Sequence, residues 1–537
     1  MSSVPERAIS AFRLAAPAML IAFLLLAPFY DKAFTIDDPL FLNGARQILS
    51  NPLQPGSFDI VWDRDVAIRM SAGSTITGPI DAYLLVPSVL AGGSEPIAHL
   101  MVFLLLCGSA AATVSIALRL GYEGWRAACA AVLLVSTPAV LGMASNNMPD
   151  LPAMAFGVMA VERFFAWESD GRVGQAITAA LLLAVAFLTR SHMVLLLGVL
   201  GLPPLLRAYY SKPGQGRSSA VRWWWLPLAS ALIIALLFQI ATRDTSQRAV
   251  IGLEMLPALF DWHWIPRNLI AFGVHWVLAF PLGIVWLALR WQALRWYLAA
   301  LLTAGWFLPI PQSVPRWAAL IAILGFLVIF DAIRLAFRRQ EWAPLSLGLW
   351  LLLGLGTVPY VHHPAKYEVP AAPAAALLIA GRLPALSRRS GLSIAAVCVV
   401  GAVLGVAIIR ADAVYAASGR QMADDVIKPF VQSGKRVWFT GHWGFQWYAE
   451  KAGASPLTSD APHPAAGDLI VASFADECPA LAYVPRRTLL KIWTDTSESG
   501  QIMSRANEAG FYSNILGYLP WSWGSSAANR FELWEVQ

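Results

Sequence analysis

The stretch RLAAPAMLIAFLLLAPFYDKAFTIDDPLFL, residues 13–42, sets how the whole chain is read. An apolar run of bilayer-spanning length ends near Tyr30, and Asp37 and Asp38 follow within a few residues. Carboxylates beside a membrane segment need water, a partner or a task. The rest of the chain agrees with a membrane setting, because 57% of its 537 residues are hydrophobic and only 13% are charged, which excludes a soluble multidomain protein. Arg7 and Arg13 ahead of the first run give it the look of a signal sequence. It lacks a small-x-small cleavage site and is long enough to span, so it reads as a retained first helix.

Apolar runs bounded by charge, proline or glycine predict spans near 11–30, 96–118, 126–143, 151–168, 173–189, 191–208, 223–241, 267–289, 296–310, 316–333, 342–360, 367–385 and 392–409. The expected fold class is therefore a polytopic α-helical membrane protein of about 13 transmembrane helices. With the N-terminus inside, the inner loops collect Arg119 and Arg126, Arg207, Lys212, Arg217 and Arg222, Arg290 and Arg295, Arg334, Arg338 and Arg339, and Arg388 and Arg389. That bias predicts an N-in, C-out topology and explains the net charge of +6 better than nucleic-acid binding does, since no basic stripe or tail is present. Of the four cysteines, Cys107, Cys129 and Cys398 lie in apolar runs and Cys478 in a polar one, a spacing that builds neither a disulfide framework nor a thiolate metal site.

Three outer segments are too long or too polar for simple turns: the loop 31–95, the loop of about 242–266, and VHHPAKYEVP, residues 361–370. In the first, Leu40, Phe41, Ala45, Ile48 and Leu49 fall on one helical face, with Asn43, Arg46 and Gln47 opposite, as in a helix lying along a membrane surface. Beyond residue 410, RVWFT, DLIVAS and RFELWEV read as strands and FQWYAEKAG as a helix. The chain thus divides into a transmembrane part, 1–409, and a small α/β extracytoplasmic domain, 410–537.

Asp38 followed by Pro39 makes a helix start, with Asp38 as N-cap. Asp37 then precedes the cap in an extended segment, where neighbouring side chains diverge, so the two carboxylates need not share one environment. Asp150 opens another span, where a carboxylate also suits the helix dipole. Arg190 and His192 fall at a turn between two spans and belong to an interface or a polar cavity, snorkelling being the simpler reading. Lys366 and Tyr367 follow the His362–His363 pair; adjacent histidines cannot easily both ligate from a regular helix, so the pair is a weak metal signal. Together these residues describe an outer cavity of carboxylates and cations suited to a lipid-linked anionic donor.

At this point the chain resembles the integral-membrane glycosyltransferases that use polyprenyl-phosphate sugars. These C-type glycosyltransferases include the protein O-mannosyltransferases, the lipid A aminoarabinose transferases and bacterial relatives acting on lipopolysaccharide core sugars. FTIDDPLFLNGARQILSNPLQP, residues 34–55, is similar to the family's acidic pair and interfacial helix, MPDLPAMAF, residues 148–156, to its second acidic site, and AFLTRSHMVLL, residues 186–196, to its Leu-Thr-basic turn. HPAKYEVPAAPAAALLIAG, residues 363–381, looks like the late basic-Tyr-x-x-Pro segment, with Lys366 where arginine is more usual. GHWGFQWYAEKAG and AGFYSNILGYLPWSW resemble the outer domain of bacterial members. STITGPIDAYLL, residues 74–85, departs from the His-Pro-Pro or Pro-Pro-Leu element of many members, so donor contacts tied to that element are not carried over.

The resemblance implies inverting sugar transfer to an acceptor hydroxyl at the outer face of a bacterial inner membrane. Asp37, Asp38 and Asp150 are the catalytic candidates, with the choice of base between Asp37 and Asp38 left open. Lys366, Arg190, His192 and Tyr367 would hold the lipid phosphate and sugar, with Arg64 and Arg69 as further candidates. No cofactor is required, and a divalent metal at His362 and His363 is compatible but not called for. The partners implied are a polyprenyl-phosphate-linked sugar, a glycan, lipid or protein acceptor, and the bilayer. The alternative is a transporter or flippase, which would show inverted repeats and polar groups near the bilayer midplane.

Overall fold

Leucine, phenylalanine and valine side chains such as Leu24, Phe330 and Val400 face outward from long helices, the arrangement of a bundle solvated by lipid rather than water. The computed structural model describes residues 4–62, 66–70, 78–210, 223–243, 260–307, 310, 314–460, 462–474, 479–494, 499–524 and 529–537. Among these, five helices are long and apolar enough to cross a membrane: Ile9–Phe29, Glu95–Arg119, Ser191–Tyr210, Arg316–Arg338 and Arg388–Gln432. Two bent pairs and four shorter apolar helices accompany them.

Proline breaks several of the predicted spans. The run expected as 126–143 is two helices, Gly124–Val135 and Pro138–Ala144, bent by 62°, because Pro138 lacks the amide that would continue the first. The runs 267–289 and 296–310 divide elsewhere than expected. Pro281 ends the first at Leu278, with a 73° bend, and a single helix, Leu282–Trp306, carries Arg290 and Arg295 in its interior. No loop therefore surrounds them. Arg290 instead donates to Asp331 Oδ2 at 3.0 Å, an oxygen that also accepts from Trp286 Nε1 at 3.0 Å. The run 367–385 is a 3-10 turn, Ala365–Ala371, followed by a short helix, Ala372–Arg382. The last predicted span, 392–409, lies within a helix that continues to Met422. Helices Ile265–Leu278 and Arg316–Arg338 cross on glycine: a Cβ at Gly325 would stand 2.1 Å from the Gly273 carbonyl oxygen, so the backbones touch.

The predicted surface helix is present as Asp38–Ser50. Its inward face carries Phe41, Leu42, Ala45 and Ile48, whereas Leu49 turns outward, one position off the expected stripe. The four elements expected beyond residue 410 form Val437–Thr440, Trp443–Lys451, Leu469–Ser473 and Arg530–Val536. The three strands among them belong to a five-stranded sheet in the order Ser455–Pro456, Val437–Thr440, Leu469–Ser473, Arg530–Val536, Arg487–Thr494. The first three are parallel and Arg530–Val536 is antiparallel to both its neighbours. Val437 and Phe439 pack on one face, with Phe445 from the helix, while Trp438 packs on the other, as the two-residue period of a strand requires.

The sheet region is fastened to the first loop. Tyr448 Oη accepts the Phe34 amide at 2.8 Å and donates to Glu95 Oε1 at 2.9 Å, and the Arg46 guanidinium stacks 3.8 Å from the Trp447 ring centroid. A later segment, Phe511 to Asn514, penetrates further. Phe511 is fully buried, and a Cβ at Gly142 would lie 2.7 Å from its ring.

Candidate functional site

The acidic pair sits on a turn held from several directions. The Asp38 amide donates to Thr35 O at 2.9 Å, and the Thr35 amide returns a bond to Asp38 Oδ2 at 2.9 Å. Between them Ile36 adopts φ 42°, a left-handed conformation that β-branched residues rarely take and that surrounding structure must enforce. Lys32 supplies part of that enforcement. Its buried Nζ donates to Asn146 Oδ1 at 2.7 Å and Ser145 O at 3.0 Å, and pairs with Asp412 Oδ2 at 2.9 Å. Asp412 in turn accepts from Tyr512 Oη at 2.7 Å.

The N-cap position moves one residue from the expected Asp38, while Asp37 remains the accessible acid. Asp37, not Asp38, occupies the N-cap position, with φ −82° and ψ −5° rather than an extended backbone, and its side chain makes no cap hydrogen bond. Asp38 is the first helical residue, fully buried, with Oδ1 accepting the Asn147 amide at 3.2 Å. Burial pushes its carboxyl up to about 7, against the lowering pull of Lys32 and of the Thr35 and Asn147 amides. The folded state therefore binds a proton that the unfolded chain releases near its ordinary value of 3.8, and this contribution to stability is lost as pH rises toward 7. Thermal unfolding in detergent across that window should show the decline in the wild type. In Asp38→Asn, which mimics the protonated acid, the curve should be flatter; an equal slope in both would refute the assignment.

Asp37 is the accessible member, its side chain 31% exposed, and Oδ2 lies 3.1 Å from Lys366 Nζ. Lys366 is buried, 3.4 Å from Met148 Sδ, and its ammonium stands 5.8 Å from the Tyr367 ring centroid and 5.6 Å from that of Tyr512. Behind this pair Asp150 opens the helix Asp150–Asp170, and its Oδ2 accepts from Arg190 Nη2 at 2.7 Å with both side chains almost wholly buried. Arg190 lies 4.9 Å from the Tyr367 ring centroid, which places the tyrosine against both cations. Tyr367 Oη is 3.2 Å from His362 Nε2, whose Nδ1 is 3.1 Å from Ser513 Oγ. The His192 ring is 6.4 Å from that of Tyr367, and neither of its buried nitrogens has a partner among the described residues.

Seven of the sequence-predicted residues thus converge: Asp37, Asp150, Arg190, His192, His362, Lys366 and Tyr367. Asp38 supports them from beneath. Arg69 pairs with Asp59 at 3.3 Å in the hairpin of Asp59–Val61 and Ala67–Arg69, and His363 faces away toward Glu368. Arg64 lies outside the described residues, as do Cys478, Lys212, Arg217, Arg222 and residues 244–259 of the second loop expected on the outer side.

Sequence reasoning missed Asp81, which opens the helix Ile80–Leu90, is buried, and leaves Oδ2 without a partner among the described residues. Its segment is tied to the Arg190 turn by the Gly78 amide, which donates to Thr189 O at 3.0 Å. The signal was the one that revealed Asp150, an acid at the start of an apolar helix. Lys32, Asp412, Tyr512 and Asn514 carried no comparable local signal.

No protein-family model matches this sequence, and no curated protein does. Solved structures do share its fold. ArnT from Cupriavidus metallidurans bound to undecaprenyl phosphate superposes with a TM-score of 0.50 at 14% identity, over 90% of this chain and 95% of that one. Its apo state gives 0.52 over the same shares. The archaeal oligosaccharyltransferase AglB from Archaeoglobus fulgidus, in complex with an inhibitory peptide and a dolichol-phosphate, gives 0.52 at 11% identity over 83% of this chain and 64% of that one. At such identity the likeness is one of fold, the fold that the sequence resemblance implied.

Proposed function

We propose, for a chain with the fold of the polyprenyl-phosphate-dependent C-type glycosyltransferases, that it transfers a sugar from a polyprenyl-phosphate donor to an acceptor hydroxyl by inverting displacement. The observation that carries this reading is the Asp37–Lys366 pair, a half-open carboxylate and a buried ammonium 3.1 Å apart, with the Arg190 guanidinium also against the Tyr367 ring. Asp38, used up by the Thr35 and Asn147 amides, is the weaker candidate for the base.

In the proposed step Asp37 takes the acceptor's hydroxyl proton as its oxygen attacks the anomeric carbon. The bond from that carbon to the phosphate oxygen breaks, and polyprenyl phosphate leaves with the electron pair. The charge that develops on the phosphate is met by Lys366, with Arg190 behind it and Tyr367 as hydrogen-bond donor. Asp150 acts as a positioning residue that holds Arg190. When a donor phosphate binds, it competes with Asp37 for Lys366. The carboxylate is then released as the leaving group is gripped, so base and electrophile become ready together. Residues 1–409 would carry this chemistry at the periplasmic face of an inner membrane, and the region beyond the helix end at Met422 would cover it.

The direct test is transfer by the purified protein in liposomes supplied with labelled polyprenyl-phosphate sugars and an envelope-glycan extract as acceptor. Absence of transfer with every donor tried would count against the reading. Lys366→Met should lower kcat by about 10²–10³, the loss typical of one preorganised charge-stabilising donor, and should also weaken competitive inhibition by polyprenyl phosphate.

A further inference from the structure

We propose that His275, His363 and Glu368 form a site for one divalent transition-metal ion, with zinc the best fit, that fastens the segment 361–371 to the helix Ile265–Leu278. His363 and Glu368 flank Lys366 and Tyr367 in sequence, and all three side chains of the triad are at most 1% exposed. His275 Nδ1 and His363 Nε2 each lie 3.1 Å from Glu368 Oε1, and the ligand atoms of the triad are within 4.8 Å of one another. Glu368 Oε2 is buried and has no partner among the described residues.

The hydrogen-bond pattern around His363 suits a ligating Nε2. With its single hydrogen directed to Gly354 O at 2.9 Å, Thr357 Oγ1 accepts from His363 Nδ1, also 2.9 Å away. Nδ1 therefore carries the ring hydrogen, and in the neutral ring Nε2 presents a lone pair to a carboxylate oxygen 3.1 Å away. Two lone pairs at that distance require something positive between them. A proton would serve that contact and leave Glu368 Oε2 bare, whereas a metal ion engages both nitrogens and the carboxylate at once. With zinc bonds of about 2.0–2.2 Å, tetrahedral ligands lie roughly 3.3–3.5 Å apart, close to the two nitrogen–oxygen spacings already present. A relay from the non-ligating nitrogen to Thr357 and on to a carbonyl is the outer support that ligating histidines use.

The histidine pair of the sequence is thus divided. His362 points to Tyr367 and Ser513, His363 to Glu368, and the third ligand comes from a distant helix. The ion would act by holding the turn that carries Lys366 and Tyr367, a role that deepens the proposed reaction without the site's existence depending on it.

Metal content separates the two. Wild type purified in detergent without chelator, dialysed against zinc and then gel-filtered, should retain about one zinc per chain by elemental mass spectrometry. Chelation should lower its unfolding temperature, and zinc should restore it. His275→Ala and Glu368→Gln should lose the ion, while His362→Ala should keep it. Should the first two variants fail to fold, cobalt-loaded wild type should still show the visible absorption of a four-coordinate centre. Wild type that retains no zinc, shows no such cobalt spectrum, or holds as much metal in folded Glu368→Gln as in the unaltered chain would overturn the site whatever the outcome of the transfer assays.

Discussion

Asp37→Asn is expected to reduce kcat for sugar transfer by about 10²–10⁴, the usual contribution of a positioned general base, while donor KM stays level or falls because the competitor for Lys366 is neutralised. The substitution keeps size and shape at a side chain that is 31% exposed and, among the described residues, bonded through Oδ2 to Lys366, whose ammonium the asparagine oxygen can still meet, so the chain should still fold. The comparison with Asp38→Asn is informative because the neighbouring acid is sealed in protein and accepts from two backbone amides. A folded Asp37→Asn protein that transfers at the wild-type rate would remove Asp37 as the base and move attention to Asp38.

The second large effect concerns stability. Lys32→Met should cost about 3–5 kcal/mol, because it leaves Asp412 as a charge without its partner in a site where both side chains are at most 1% exposed. The measurement is the unfolding midpoint in detergent. Lys32→Met combined with Asp412→Leu should recover much of the loss, since replacing both members of a buried pair with apolar groups removes the stranded charge. If the single variant unfolds at the wild-type temperature, the pair is not what holds the turn around Ile36.

Much of the site was legible because polar residues at the ends of apolar runs stand out: Asp37, Asp150, Arg190 and Lys366 were all visible on that ground alone. Which acid is buried was not legible. The expected cap at Asp38 rested on a local preference, and that preference lost to the Thr35 and Asn147 amides, the second of which arrives from 109 positions away. The pairing of Asp37 with Lys366 spans 329 positions and leaves no trace in periodicity. The helix breaks were half visible. Pro138 and Pro281 are plain in the sequence, but apolar runs continue through them, so a window that counts hydrophobicity passes over the bend. Arg290 and Arg295 misled in the opposite way, ending a span in the sequence while Asp331 and Trp286 keep Arg290 inside one helix.

The segment Phe511 to Asn514 bears on when the protein can act. Ser513 touches His362, Asn514 accepts the His363 amide at 2.9 Å and donates to Asn268 Oδ1 at 2.9 Å, and Tyr512 backs Lys366. These residues leave the ribosome long after Asp37, Asp150 and Lys366 have been inserted. A nascent chain therefore carries an unfinished residue cluster throughout membrane insertion, and the transfer proposed for it would wait until translation has delivered this segment.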